Sequence, residues 1–235
     1  SAEGAAMDFR DPESCRACHE LEYRSWELSH HANANREIRI DLDELPYSAG
    51  EVSDQAGRRY RIDLHEDRPR IAERVSDDEE NEATVGMIIG VDPLQQAVVQ
   101  GPRGRWQAHA MAWDPERHEW FNVFEDEDRL PGEWGHWSGQ GMNWNSNCAA
   151  CHMTDYQKNY DPETDAYSSS WYAQGISCVS CHDGMEQHLA RALAGDPVEA
   201  ALLPEISVDS CHAPLPSDIA ARLLDAWFEM LRQVR

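Results

Sequence analysis

Cys148-Ala-Ala-Cys151-His152 and Cys178-Val-Ser-Cys181-His182 stand in one stretch of the chain, with His188 six residues beyond the second. A third copy, Cys15-Arg-Ala-Cys18-His19, lies near the N-terminus. Cys-x-x-Cys-His is the attachment pattern of c-type haem. Two thiols add to the vinyl groups on one porphyrin edge, and the His that follows binds the iron from the proximal side. The three copies use six of the seven cysteines. A four-thiolate zinc site built from Cys148, Cys151, Cys178 and Cys181 would not need a His after each pair. A thioredoxin-like dithiol would sit in a βαβ pattern, which is absent here. Three covalent haems c are therefore expected on Cys15, Cys18, Cys148, Cys151, Cys178 and Cys181. His19, His152 and His182 are their proximal ligands.

The 235 residues suffice for one domain or two small ones. Three apolar macrocycles would replace much of a side-chain core, which suits the low mean hydropathy of −0.70. Nine Trp and seven Tyr suit a protein that packs rings against rings. No stretch approaches the roughly 18 apolar residues of a membrane span. Ser1-Ala2-Glu3-Gly4 reads as the start of a mature chain or an expression remnant. Bacterial haem c is attached outside the cytoplasmic membrane, so the expected location is periplasmic or extracellular. The formal charge is −24 and Lys158 is the sole lysine. Such a surface disfavours nucleic acid and anionic membranes. It suits either a redox partner with a basic surface or simple solvation.

Along the chain, residues 11–34 read as a first haem-bearing helix, with Asp11-Pro12-Glu13 as its start. On one continuous helix His31 would lie roughly 18 Å from His19, so it would reach a different iron or remain a surface residue beside His30. Residues 35–125 contain short β-branched and aromatic runs at 58–64, 71–75, 83–89, 96–99, 106–113 and 120–124. Turn residues separate them, and the acidic loop Asp77-Asp78-Glu79-Glu80 lies among them. They predict a small antiparallel β insertion, in which His65, His109 and His118 are structural or exposed. Residues 126–147 are rich in Gly and Trp. His136 there is either a buried ligand or a core His satisfied by the backbone. Residues 126–195 form the second and third haem region, in which 176–195 predict a helix stopped by Gly195, and 216–234 predict an amphipathic C-terminal helix. On a helix His188 lies about 240° round from His182 and cannot serve the same iron.

These residues resemble the multihaem cytochromes c. The features that carry the likeness are Cys-x-x-Cys-His followed by Trp26 and Ser29-x-His31, then His136-Trp137-x-Gly139 before Trp144-Asn145, and a His six residues after the third motif. The chain is most similar to the nitrifier tetrahaem cytochrome group and its tetratricopeptide-linked relatives over residues 11–190, without the tetratricopeptide repeats. Where that group commonly has Gly-Pro-Gly-x-x-His, this chain has Asp183-Gly184-Met185-Glu186-Gln187-His188. The His is kept and the loop is altered. The resemblance implies one domain, mainly α-helix and coil wrapped around haems, with bis-His irons whose distal ligands are His31, His136 and His188.

The function expected is an exported trihaem relay of electrons between redox partners. One rival is a haem enzyme with an open iron acting on a small nitrogen or sulfur compound, with His109 and His118 as acid–base groups. The other is a haem subunit of a homo-oligomer, larger redox complex or cytochrome wire. Val208-Asp209-Ser210-Cys211-His212 has the spacing of a fourth motif with Val in place of the first Cys. A relic is the favoured reading, since attachment generally needs both thiols. A single-thioether fourth haem and an intermolecular disulfide are the alternatives.

Overall fold

In the computed structural model, which describes residues 7–39, 46–124, 127 and 129–196, the stretch between the first two motifs is an eight-stranded antiparallel sheet. Its strands are β1 (Asn35–Glu37), β2 (Gly50–Ser53), β3 (Arg59–His65), β4 (Arg68–Arg74), β5 (Glu80–Ile89), β6 (Gln95–Gln100), β7 (Trp106–Asp114) and β8 (Glu119–Asn122). Strands β2 to β8 run in chain order, each paired with the next. The long strand β5 shares one edge between two partners: its first half pairs with β4 and its last three residues with β1. The tightest hairpin joins β3 to β4 through Glu66 and Asp67, both at positive φ, which matches the twist of the flanking strands.

The sheet curls until its ends nearly meet. Register shifts in the β5–β6 and β6–β7 pairs bend it. The ends are then joined by side chains. The backbone N–H of Asn122 on β8 donates to Gln55 Oε1 at 3.1 Å. Asn122 Nδ2 donates to Asp54 Oδ2 at 3.0 Å and to Tyr60 Oη at 3.3 Å. Cross-strand partners Tyr60 and Glu73, and Ile62 and Ile71, place their side chains on one buried face. On the other side of the sheet, Met87 and Val98 pack with Trp144, Ala149 and Met153.

Strand rather than helix therefore dominates, and the expectation of a mainly helical chain with a small β insertion is overturned. A Cys-x-x-Cys-His motif needs only one turn, so its helices stay short. The sheet builds its own side-chain core and does not depend on a macrocycle to fill it.

The remaining helices are α1 (Pro12–Arg16), α2 (Glu20–Glu27), α3 (Trp144–Asn147), α4 (Ala149–His152) and α5 (Met185–Ala194). Asp11 caps α1 by accepting from the Glu13 N–H at 3.0 Å. The single helix expected over 11–34 is broken: His19 takes a non-helical φ of −120° and ψ of 47°. Gly195, at φ 74°, ends α5 as expected. Short pairs of strands, β9 (Met153–Thr154) with β12 (Ala173–Gln174) and β10 (Tyr160–Asp161) with β11 (Ala166–Tyr167), follow the second motif. The chain divides into two units, Asn33–Ile176 and the pair of segments Ser1–Ala32 and Ser177–Arg235. No described helix is long and apolar enough to cross a membrane. Cys211, His212 and the helix expected over 216–234 lie outside the described residues.

Candidate functional site

Each of the three motifs folds as the same turn. The N–H groups of Cys18 and His19 both donate to the Cys15 carbonyl, at 3.2 and 2.9 Å. Those of Cys151 and His152 donate to Cys148 at 3.1 and 3.2 Å, and those of Cys181 and His182 to Cys178 at 3.2 and 2.9 Å. In a helical turn residues i, i+3 and i+4 share one face, so the spacing suits two thiols and an imidazole that must meet one haem. All six thiols are free of disulfides, and the second of each pair is exposed. This is the arrangement that two thioether bonds and one axial imidazole require.

In the sheet-bearing unit, α4 packs its motif onto the face of Met87 and Val98. Burial pushes the Cys148 thiol up to about 12, with the neighbouring Cys151 adding to the effect. His152 Nδ1 lies 2.9 Å from the Ala34 carbonyl oxygen. A carbonyl only accepts, so Nδ1 carries the hydrogen and Nε2 keeps its lone pair. That tautomer is the one an iron ligand needs.

The other unit brings the first and third motifs together. The Cys178 thiol hydrogen-bonds that of Cys15, which lowers the Cys15 thiol to about 7 and raises its partner. The His19 and His188 rings lie 6.1 Å apart, centre to centre. Two imidazoles at this spacing could hold a single iron between them. Burial, and then the nearby His19, push the His182 imidazole below its ordinary value. Tyr23 Oη ties α2 to α1 by donating to Glu13 Oε1 at 2.8 Å.

The described residues of this unit form almost no side-chain core. Among its described residues only Ser14, Tyr23 and Ser177 are buried. Helix α5 buries none of its ten residues. Leu21, Leu28 and Leu193 are 80%, 85% and 63% exposed. Apolar surface of this kind, beside the four cysteines of two motifs, fits a covering by apolar macrocycles. The chain thus fits haem c by its three turns and by the tautomer of His152.

His31 and His136 are placed differently. His31 is half-buried in the turn after α2 and His30 is exposed. Among the described residues, no ring contact joins His31 or His136 to a motif histidine. His136 is 2% exposed. The Ser138 N–H donates to its Nδ1 at 3.2 Å, so Nε2 carries the hydrogen and donates to Glu73 Oε2 at 3.2 Å. Trp137 Nε1 donates to the same oxygen at 2.8 Å. Both ring nitrogens of His136 are thus engaged by protein groups. Its partners in this structure are the Glu73 carboxylate and Ser138.

His109 is fully buried on β7, accepting from the Met111 N–H at 3.0 Å, and burial pushes its imidazole down to about 3. His65 and His118 are exposed in hairpins. The positioning groups Ala34, Asn35 and Glu73 carried no signal in the sequence. Each acts by pairing with a residue distant along the chain.

A family model described as cytochrome c554 and c-prime matches residues 14–56 and 104–183. Two solved structures are similar. The outer cell wall cytochrome OcwA aligns at 18% identity with a TM-score of 0.48, covering 85% of this chain and 35% of that one. An undecahaem cytochrome from the S-layer of Carboxydothermus ferrireducens aligns at 17% identity with a TM-score of 0.44, covering 80% and 23%. The chain thus spans about a third and about a quarter of those two proteins. No curated protein matches it.

Proposed function

The chain belongs to the cytochrome c554 and c-prime family, and on that footing we propose that it carries three haems c and relays electrons between redox partners. Haem c supplies a one-electron iron couple. The chain's own residues fix where that couple sits and what can reach it. Cys15 and Cys18 hold the first haem, with His19 and His188 as its axial pair. Cys148, Cys151 and His152 hold the second, and Cys178, Cys181 and His182 the third. His31 is a further distal ligand.

The 6.1 Å spacing of the His19 and His188 rings carries this reading. An iron held on both faces has no position for a substrate, so its chemistry is electron exchange. Two His ligands keep its potential below that of a His/Met iron. Intact-mass analysis of the mature protein tests the stoichiometry. Three haem additions are expected, and two or fewer would overturn the three-haem reading. Carbon monoxide added to the reduced protein should leave the low-spin spectrum of the first haem unchanged.

The partner we propose has a basic surface, and the setting is periplasmic or extracellular. The charge of −24 supports an electrostatic approach. Arginines on the sheet are largely spent on local carboxylates. Arg61 reaches Glu80 at 2.7 Å, and Arg70 reaches Glu82 at 2.8 Å. Reduction by a cationic donor is expected to slow as salt rises, because screening removes the attraction. A rate independent of salt would show that the acidic surface serves solvation alone.

A further inference from the structure

We infer that Asn35 is a positioning residue for the iron ligand His152, acting through the carbonyl of Ala34. The inference rests on the reading of Cys148, Cys151 and His152 as a haem site. The Ala34 oxygen accepts two hydrogen bonds, from His152 Nδ1 at 2.9 Å and from the Gly90 N–H at 3.1 Å. Both of its lone pairs are thereby used. The carbonyl can orient the imidazole only if its own position is fixed, and Asn35 fixes it.

Asn35 is fully buried, and its backbone pairs with Ile89 at the end of β5. Its Oδ1 accepts from Trp144 Nε1 at 2.9 Å, and its Nδ2 donates to Met87 Sδ at 3.4 Å. Trp144 opens the helix that leads into the motif, and its carbonyl accepts from the Cys148 N–H at 3.0 Å. The contacts close a ring: Ala34 to His152, through the motif to Cys148, to Trp144, to Asn35, and back to Ala34. The imidazole cannot turn without breaking a member of this ring. Gly90 completes the support. It sits at φ 82°, where a Cβ would meet the Leu94 carbonyl oxygen at 2.7 Å, so its N–H direction depends on a backbone that side chains oppose.

A ring N–H held by a firm acceptor makes an imidazole a more basic ligand, which favours oxidised iron and lowers the potential. Loosening the Ala34 carbonyl should therefore raise the potential of this haem alone. A purely structural Asn35 would lower stability and leave the potentials where they were.

The mature protein with Asn35→Ala is compared with the unaltered protein by spectroelectrochemical titration and NMR. One haem is expected to rise in midpoint potential while the others stay fixed. Trp144→Phe, which removes the same hydrogen bond from the other side, should move the same haem in the same direction. The double variant should shift it no further than the larger single shift. In the unaltered protein, one axial imidazole should show a ring N–H that exchanges slowly with solvent, a reading that needs no variant to fold. Unchanged potentials, a common shift of all haems, or no protected ring N–H would overturn the inference. Peptide mapping separates this from the reading beneath it. Haem on the peptide of Cys148 and Cys151 together with any of those outcomes defeats the inference alone. No haem on that peptide defeats both.

Discussion

Replacing His188 with Ala is expected to convert one haem of the mature protein from low to high spin and open its iron to carbon monoxide. His188 stands in the first turn of α5, its N–H donating to the Gly184 carbonyl at 3.1 Å. Gly184, at φ 72°, breaks the chain between the third motif and this helix. The chain therefore turns before His188 and carries its ring toward His19. With alanine there, the imidazole that meets His19 is lost, and the iron the two rings would share gains a free face. The other two should keep their spectra, which makes the variant its own control. Absorption spectra of the reduced protein, with and without carbon monoxide, read the change directly. If carbon monoxide binds no better than to the unaltered protein, His188 is not an axial ligand.

Replacing Glu73 with Ala is expected to cost about 2–4 kcal/mol of stability, because it strands two buried donors, His136 Nε2 and Trp137 Nε1. Burial by itself would raise the Glu73 carboxyl, but the hydrogen bonds from His136 and Trp137 outweigh it and hold the group below its ordinary value of 4.5. A depressed carboxyl stabilises the fold above its unfolded pKa and loses that contribution as pH falls through the folded one. The unaltered protein should therefore weaken progressively below about pH 4.5, and Glu73→Gln should flatten that dependence. Denaturant midpoints across pH 3 to 7 (a range of about four units around the carboxylate pKa) measure both effects. His136→Ala should cost a similar amount and leave every haem low-spin. A high-spin haem in that variant would mean that His136 leaves Glu73 to bind iron in the mature protein, as the family resemblance implies.

The sequence by itself determined what is written locally. Each Cys-x-x-Cys-His states its turn and its chemistry within five residues. Asp11 with Pro12 marks the start of α1, and Gly195 marks the end of α5. The six apolar runs between 58 and 124 became β3 to β8, because alternation along a strand follows which side chains face the core. Strands β1 and β2 gave no such signal. Asn35-Arg36-Glu37 is a strand only because the far half of β5 offers it an edge.

The tertiary structure alone decided how large the sheet is in the fold and how it closes, since Gln55, Asp54 and Tyr60 meet Asn122 across most of the sheet. It also decided which histidines face each other. His136 reads in sequence as equally fit for iron or for the core, and the presence of Glu73 on β4 settles which atoms it touches here. The division follows from chain physics. A motif or a period is fixed by neighbours along the backbone. A ring pair such as His19 and His188, or a carbonyl such as that of Ala34 beneath His152, exists only once distant segments are packed, and their spacing along the chain does not encode that meeting.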